Sequence, residues 1–130
     1  MLKYSDYIKL DGIAAAEGIR NKEFTSAELT ACAIDRAKQI NPSINAIVHE
    51  SFDLAHEQAK YVDKQPEILK QSRVAGLPFL IKDLAEVKGL TTAYGSTLYE
   101  NHVSPQHANI VAKYIQAGLT ILGKTNTPEF

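Results

Sequence analysis

Lys82 is the side chain whose position in the sequence most suggests chemistry. It follows the apolar run 79–81 and precedes Asp83. At the end of a buried strand an ammonium group loses hydration, which favours the neutral amine, the form that can accept a proton. The alternative is a lysine that extends to water and pairs with Asp83 or Glu86. Without further information the sequence favours this second interpretation.

The other polar candidates show no spacing that supports catalysis or metal binding. The histidines are His49, His56, His102 and His107. They stand at no ligand spacing with a carboxylate or with the single cysteine, so we predict no metal site. Ser96 follows Gly95 in a loop, where such pairs are common, and spacing alone does not make it a nucleophile. The motifs of phosphate-binding loops, dinucleotide folds, zinc proteases and nucleophile-elbow hydrolases are absent.

Composition narrows the class of protein. The chain has 130 residues, 45% of them hydrophobic, and its 14 Lys and Arg against 15 Asp and Glu leave a net charge of −1. This length suits one ordinary domain, and a charge near zero gives no field that attracts nucleic acid or an anionic membrane. The longest apolar run, 74–81, is far shorter than the roughly 20 residues that a membrane span needs. We therefore predict no nucleic-acid partner and no membrane partner.

The N-terminus and the cysteine count suggest a compartment. Residues 1–9 interleave charges with apolar side chains and lack the apolar core of a secretory signal. The single cysteine, Cys32, cannot form an internal disulfide, which suits a reducing environment. We predict a cytoplasmic protein in which Cys32 is a buried apolar thiol.

Helical periodicity dominates the first half of the chain. Thr25 and Glu28 have the spacing of a capping box, in which each side chain bonds the backbone amide of the other. The predicted elements are a helix over 11–21, a helix from the capping box to Asn41-Pro42, a strand at 46–48, a helix capped by Ser51 and running to about Lys64, and a polar connector over 65–73.

The second half predicts a strand, a helix and another strand, which together form a βαβ unit. The predicted elements are a buried strand over 76–83, a loop over 89–96, a helix over 108–116 closed by Gly118, a strand over 119–122 and a turn over 123–128. We therefore predict the α/β class.

Three blocks of this half resemble the amidase signature hydrolases. They are AGLPFLIKD (75–83), GLTTAYGS (89–96) and AGLTILGKTNTPEF (117–130), and the segments 24–29 and 41–46 resemble the usual lead-in of that family. The resemblance implies a large mixed sheet covered by helices, of which this chain is the incomplete N-terminal part of one domain. Residues 1–73 would be a mainly helical lead-in and residues 74–130 the start of the catalytic core.

The resemblance also implies a mechanism, hydrolysis of a carboxamide by a Ser–cis-Ser–Lys triad without metal or organic cofactor. Lys82 matches the lysine of that triad and would be neutral in the resting enzyme. Both serines and the oxyanion loop would lie beyond Phe130, so we expect the 130-residue chain alone to be inactive. The substrate would be a small linear or cyclic amide. His107 stands where family members usually have Asp, so the helix that follows would be poorly capped.

Two alternatives remain open. The amidase (A) subunit of a glutamyl-tRNA amidotransferase shares the same blocks, although the residues of segments 81–84 and 92–96 slightly favour a stand-alone amidase. A non-catalytic binding or assembly module is the other. Exposed sheet edges would then lead to self-association or to pairing with the missing C-terminal part.

Overall fold

Six α-helices, a short 3-10 helix and three β-strands form the chain in the computed structural model, which describes all residues from Met1 to Phe130. In chain order they are α1 (Tyr4–Tyr7), α2 (Gly12–Arg20), α3 (Ser26–Ile44), β1 (Ile47–Glu50), α4 (Phe52–Asp63), α5 (Pro66–Gln71), β2 (Pro78–Lys82), the 3-10 helix (Thr97–Tyr99), α6 (Asn109–Gln116) and β3 (Thr120–Thr125). A membrane crossing would need a longer and more apolar helix than any of these.

The three strands form one mixed sheet in the order β1-β3-β2. β2 and β3 are parallel and are connected through α6, whereas β1 pairs with β3 in the antiparallel direction. The predicted α/β class and βαβ unit are confirmed. Since β2 is the outer strand, one of its edges has no partner in the sheet.

Two apolar clusters cover the two faces of this sheet. On one face α6 packs on residues of β2 and β3, and the buried members are Ile81, Val87, Val111, Leu119 and Ile121. On the other face α3 and α4 pack on the sheet, and the buried members are Ala33, Ile34, Ala55 and Leu122. Residues 80 and 81 therefore point to opposite faces, as alternation along a strand requires.

The capping box at the start of α3 is confirmed. The Glu28 amide donates to Thr25 Oγ1 at 3.1 Å, and the Thr25 amide donates to Glu28 Oε2 at 3.0 Å. The predicted end of this helix at Asn41-Pro42 is wrong, because α3 continues to Ile44. A proline this close to the C-terminus removes one helical hydrogen bond, and the Asn41 side chain stabilises the helix end by bonding both the amide and the carbonyl of Ile47.

Two further predictions are wrong for similar reasons. The segment 65–73 contains helix α5 rather than a plain connector, because Pro66 occupies the first turn, where its fixed φ suits a helix. The predicted turn after Leu122 is absent, since β3 continues through Gly123 to Thr125. Ser51 precedes α4 as predicted, but its hydroxyl donates to the carbonyl of Ile121 instead of capping the helix.

Other predictions agree with the structure. The helix α2, the loop over 89–96 and the helix α6 lie where the sequence places them, and Gly118 closes α6 with φ +86°. Cys32 is buried, and burial raises the pKa of its thiol. α6 begins without a side-chain cap, because His107 Nδ1 accepts a hydrogen bond from the Lys88 amide instead.

Candidate active site

Lys82 is the last residue of β2 and lies at the carboxyl end of the parallel strand pair. Its side chain is exposed and makes no hydrogen bond or ion pair with this chain. The expected burial of Lys82 is therefore wrong for these 130 residues. The alternative pairing with Asp83 or Glu86 is also absent. The physical reason is that β2 is an edge strand, so nothing of this chain covers its last outward-facing residue.

The lysine that is buried is Lys124, on the neighbouring strand β3, with 0% of its surface exposed. Its ammonium donates to Asp83 Oδ1 at 2.9 Å and to Thr92 Oγ1 at 2.7 Å. Burial lowers the pKa of Lys124, and the adjacent Asp83 carboxylate opposes that shift. Sequence reasoning missed this residue because local signals predict a turn, not a strand, after Leu122.

Asp83 is fixed from three directions and is 2% exposed. Besides the Lys124 ammonium, its carboxylate accepts the Ala93 amide at 3.1 Å and lies 3.9 Å from His49 Nε2. Its own amide donates to the Thr125 carbonyl at 3.0 Å. The residue that follows Lys82 is thus held by both neighbouring strands and by the loop over 89–96.

A buried hydroxyl pair extends this polar cluster into the loop after β2. Thr92 Oγ1 and Ser104 Oγ are 2.8 Å apart, and both residues are buried. The loop is closed by backbone bonds, in which the Gly89 amide donates to the Ser104 carbonyl and the Thr92 amide donates to the His102 carbonyl. The ion pair and the loop therefore form one connected unit.

Aromatic side chains lie on the outer side of that loop. The Tyr94 hydroxyl donates to Glu86 Oε1 at 3.2 Å, and His102 Nε2 lies 3.1 Å from the same oxygen. Burial and the Glu86 carboxylate raise the pKa of Tyr94. Tyr94 also packs against Tyr99 and Phe130 with ring centroids 5.3 and 6.5 Å away. This cluster joins the 3-10 helix to residues 127–130.

The other candidates from the sequence do not come together as a reactive site. Ser96 Oγ donates to Glu129 Oε1 at 2.7 Å and accepts from the Leu98 amide, so it caps the 3-10 helix. No base lies within hydrogen-bond distance of it except this carboxylate. The histidines are dispersed, and no group of three or more His, Cys, Asp or Glu side chains could hold a metal ion.

An apolar groove of about 340 Å³ lies between α3 and the start of β2. Its walls include Ile40, Ile44, Phe79 and Leu80, but neither Lys82 nor Asp83. It is separate from the polar cluster.

This arrangement defines part of an α/β domain whose polar groups gather at the carboxyl ends of two parallel strands. The family model for Amidase matches residues 28–130. The chain therefore belongs to the amidase family, and the resemblance drawn from the three sequence blocks is confirmed.

Curated relatives and solved structures agree with this assignment. The chain is 39% identical over 115 residues to the amidase (A) subunit of the glutamyl-tRNA(Gln) amidotransferase of Pseudomonas putida, and the match covers 88% of this chain and 24% of that protein. The peptide amidase of Stenotrophomonas maltophilia superposes with a TM-score of 0.85 at 25% identity, over 95% of this chain and 26% of that one. A 6-aminohexanoate cyclic dimer hydrolase superposes with a TM-score of 0.81 at 28% identity, over 92% and 24%. The chain spans about a quarter of the length of these proteins.

Proposed function

We propose that this chain supplies the proton-accepting lysine, Lys82, of an enzyme that hydrolyses a carboxamide through an acyl-enzyme. The observation that carries the proposal is the state of Lys82 within the matched region. Its amine is unpaired and accessible, while the next residue, Asp83, is tightly held. Ligands of open α/β sheets bind outside the carboxyl ends of the strands, and Lys82 lies at such an end.

The proposed chemistry is proton transfer followed by acyl transfer. The Lys82 amine accepts the proton of a relay serine while that serine accepts the proton of a nucleophilic serine. The nucleophilic oxygen bonds to the amide carbon, backbone amides stabilise the oxyanion, and the C–N bond breaks as the proton passes to the leaving nitrogen. Water then cleaves the ester, releasing the acid and restoring the hydroxyl.

Both serines would come from outside residues 1–130, as would most of the substrate pocket. We therefore propose that the 130-residue chain does not turn over by itself. The substrate class is a linear or cyclic amide, supported by the activities of the related peptide amidase and cyclic dimer hydrolase. We propose a metal-free and cofactor-free reaction in the cytoplasm, where the single Cys32 would stay reduced.

A second candidate function is that of the amidase subunit of an amidotransferase. It is favoured by the curated relatives, which are such subunits at 34–39% identity. Ammonia would then pass to a charged tRNA through partner subunits. Activity that depends on charged tRNA and on co-purifying subunits would support this candidate, whereas amide hydrolysis without them would support a stand-alone amidase.

The test joins this chain to the remaining three quarters of the Pseudomonas putida protein, in place of the matching segment, and measures release of ammonia or amine from a panel of carboxamides. We expect hydrolysis by the joined protein and none by the 130-residue chain. Lys82→Ala should lower the rate by about 10³-fold or more, the magnitude seen when a triad member is lost.

The matched control is Lys113→Ala, which removes an exposed lysine from α6. It should leave the rate within about twofold, since its side chain touches neither the polar cluster nor β2. Normal hydrolysis by the Lys82→Ala protein would contradict the role of this lysine. Hydrolysis by the 130-residue chain alone would contradict the need for serines from elsewhere.

A further inference from the structure

A carboxylate stands next to the lysine that must act as a base. Asp83 follows Lys82 directly in the chain, and their Cα atoms are about 3.8 Å apart across one peptide bond. A nearby negative charge stabilises an ammonium group and so opposes formation of the neutral amine. An uncompensated Asp83 would therefore work against the proposed role of Lys82.

The geometry of the strands removes this conflict. Because Lys82 and Asp83 are consecutive, their side chains leave opposite faces of the sheet. Lys124 is paired in register with Ile81, so its side chain points to the face of Asp83. The ammonium of Lys124 meets Asp83 Oδ1 at 2.9 Å, and the pair is buried.

The other charged groups around this pair are few. From β1, His49 Nε2 approaches Asp83 Oδ2 to 3.9 Å, and Glu50 ends the same strand. From the segment after β2, Glu86 acts on Lys124, but its carboxylate is already bonded by Tyr94 and His102. Lys124 is thus the one cation that touches Asp83 directly in a buried site.

We propose that Lys124 is a positioning residue for Lys82, which cancels the charge of Asp83 and fixes the backbone that carries the Lys82 side chain. The inference rests on the proposed function, since only there does Lys82 act as a base. Its physical content, a neutralised carboxylate beside the Lys82 amine, can be measured without any turnover.

The experiment titrates the Lys82 amine by NMR in the 130-residue chain carrying ¹³C at the lysine ε carbons, with Lys82→Arg used for assignment. In Lys124→Met the uncompensated carboxylate should raise the Lys82 titration midpoint by about 0.5 pH unit at low salt, as expected for unit charges roughly 10 Å apart near a protein surface. Lys124→Arg and the double variant Asp83→Asn/Lys124→Met should stay within about 0.1 unit of the unmodified chain.

Lys113→Met is the matched control, because it removes one exposed lysine charge from α6 and should leave the midpoint unchanged. An unchanged midpoint in folded Lys124→Met would overturn the proposal. If that variant does not fold, the unmodified chain decides. An ionised Asp83 beside a charged Lys124 at pH 7, shown by their side-chain ¹³C and ¹⁵N shifts, supports the proposal, and a protonated Asp83 overturns it.

The two hypotheses fail separately. If the joined enzyme keeps full activity without Lys82, the proposed function is wrong whatever the titration shows. If Lys82 is required but its midpoint ignores Lys124, only the present inference is wrong.

Discussion

The substitution Lys124→Met should destabilise the chain more than any change at the surface. Methionine keeps most of the apolar stem but removes the ammonium that bonds Asp83 Oδ1 and Thr92 Oγ1. Asp83 would remain buried with only the Ala93 amide bonded to its carboxylate and His49 nearby. The expected loss therefore comes from the isolated carboxylate and not from the packing of residue 124.

The structure sets the size of this loss. Removing one partner of a buried, hydrogen-bonded ion pair costs about 3–5 kcal/mol, because the other charge stays in a poorly solvated site. Domains of this size have an unfolding free energy of about 5–15 kcal/mol. The variant should thus lose a large part of its stability, equivalent to a fall in Tm of roughly 10–25 °C.

The assay is urea unfolding followed by circular dichroism at pH 7, as a double-mutant cycle. Asp83→Asn removes the carboxylate charge but keeps an oxygen that can accept the Ala93 amide. The double variant Asp83→Asn/Lys124→Met buries no charge, so it should be more stable than the sum of the two single losses predicts, by at least about 1 kcal/mol. Lys113→Met, on the surface of α6, should change the free energy of unfolding by less than about 0.5 kcal/mol.

Two results would refute the argument. A Lys124→Met chain within about 1 kcal/mol of the unmodified chain would mean that the pair is solvated. Additive losses in the cycle would mean that the two side chains do not interact.

Three smaller perturbations test other parts of the structure. Thr25→Ala should cost about 1 kcal/mol in urea unfolding because it removes the α3 cap, whereas Thr25→Ser keeps the hydroxyl and should cost much less; equal losses would contradict the capping bond. Burial raises the pKa of Tyr7 in the folded chain, so the unfolded chain loses this proton first and stability falls as pH rises above about 10; Tyr7→Phe should reduce that fall, with Tyr61→Phe as exposed control. Gly95→Ala places a Cβ 2.6 Å from the Pro128 carbonyl oxygen at φ +69°, and amide NMR shifts should move in 93–96 and 127–130, with the rest of the spectrum unchanged if the clash is local.

Local sequence signals predict the elements that local chemistry decides. The capping box of Thr25 and Glu28 locates the start of α3, and Gly118 locates the end of α6, because each depends on bonds or dihedral angles within a few residues. The apolar pattern of the second half predicts the βαβ unit for the same reason. How the chain divides between lead-in and core, at about residue 73, stays a prediction.

Residues that usually break helices and strands have less effect here than their local preferences indicate. Pro42 and Pro66 both lie inside helices, one in a last turn and one in a first turn, where few hydrogen bonds are lost. Gly123 lies within β3, where the absence of a Cβ lets the His49 carbonyl of β1 come close. The strand pairing at Gly123 is a tertiary contact, which local sequence does not contain.

The distinction between the two lysines depends on a feature that no spacing rule contains. The pairing of β2 with β3 shifts by one residue between Phe79 and Leu80, so that Leu122 has no partner in the ladder. With unbroken register Lys124 would lie beside Lys82, on the same face of the sheet. The bulge moves Lys124 opposite Ile81 and therefore onto the face of the following carboxylate. One unpaired residue thus separates a buried structural cation from an accessible amine, and only the three-dimensional register reveals it.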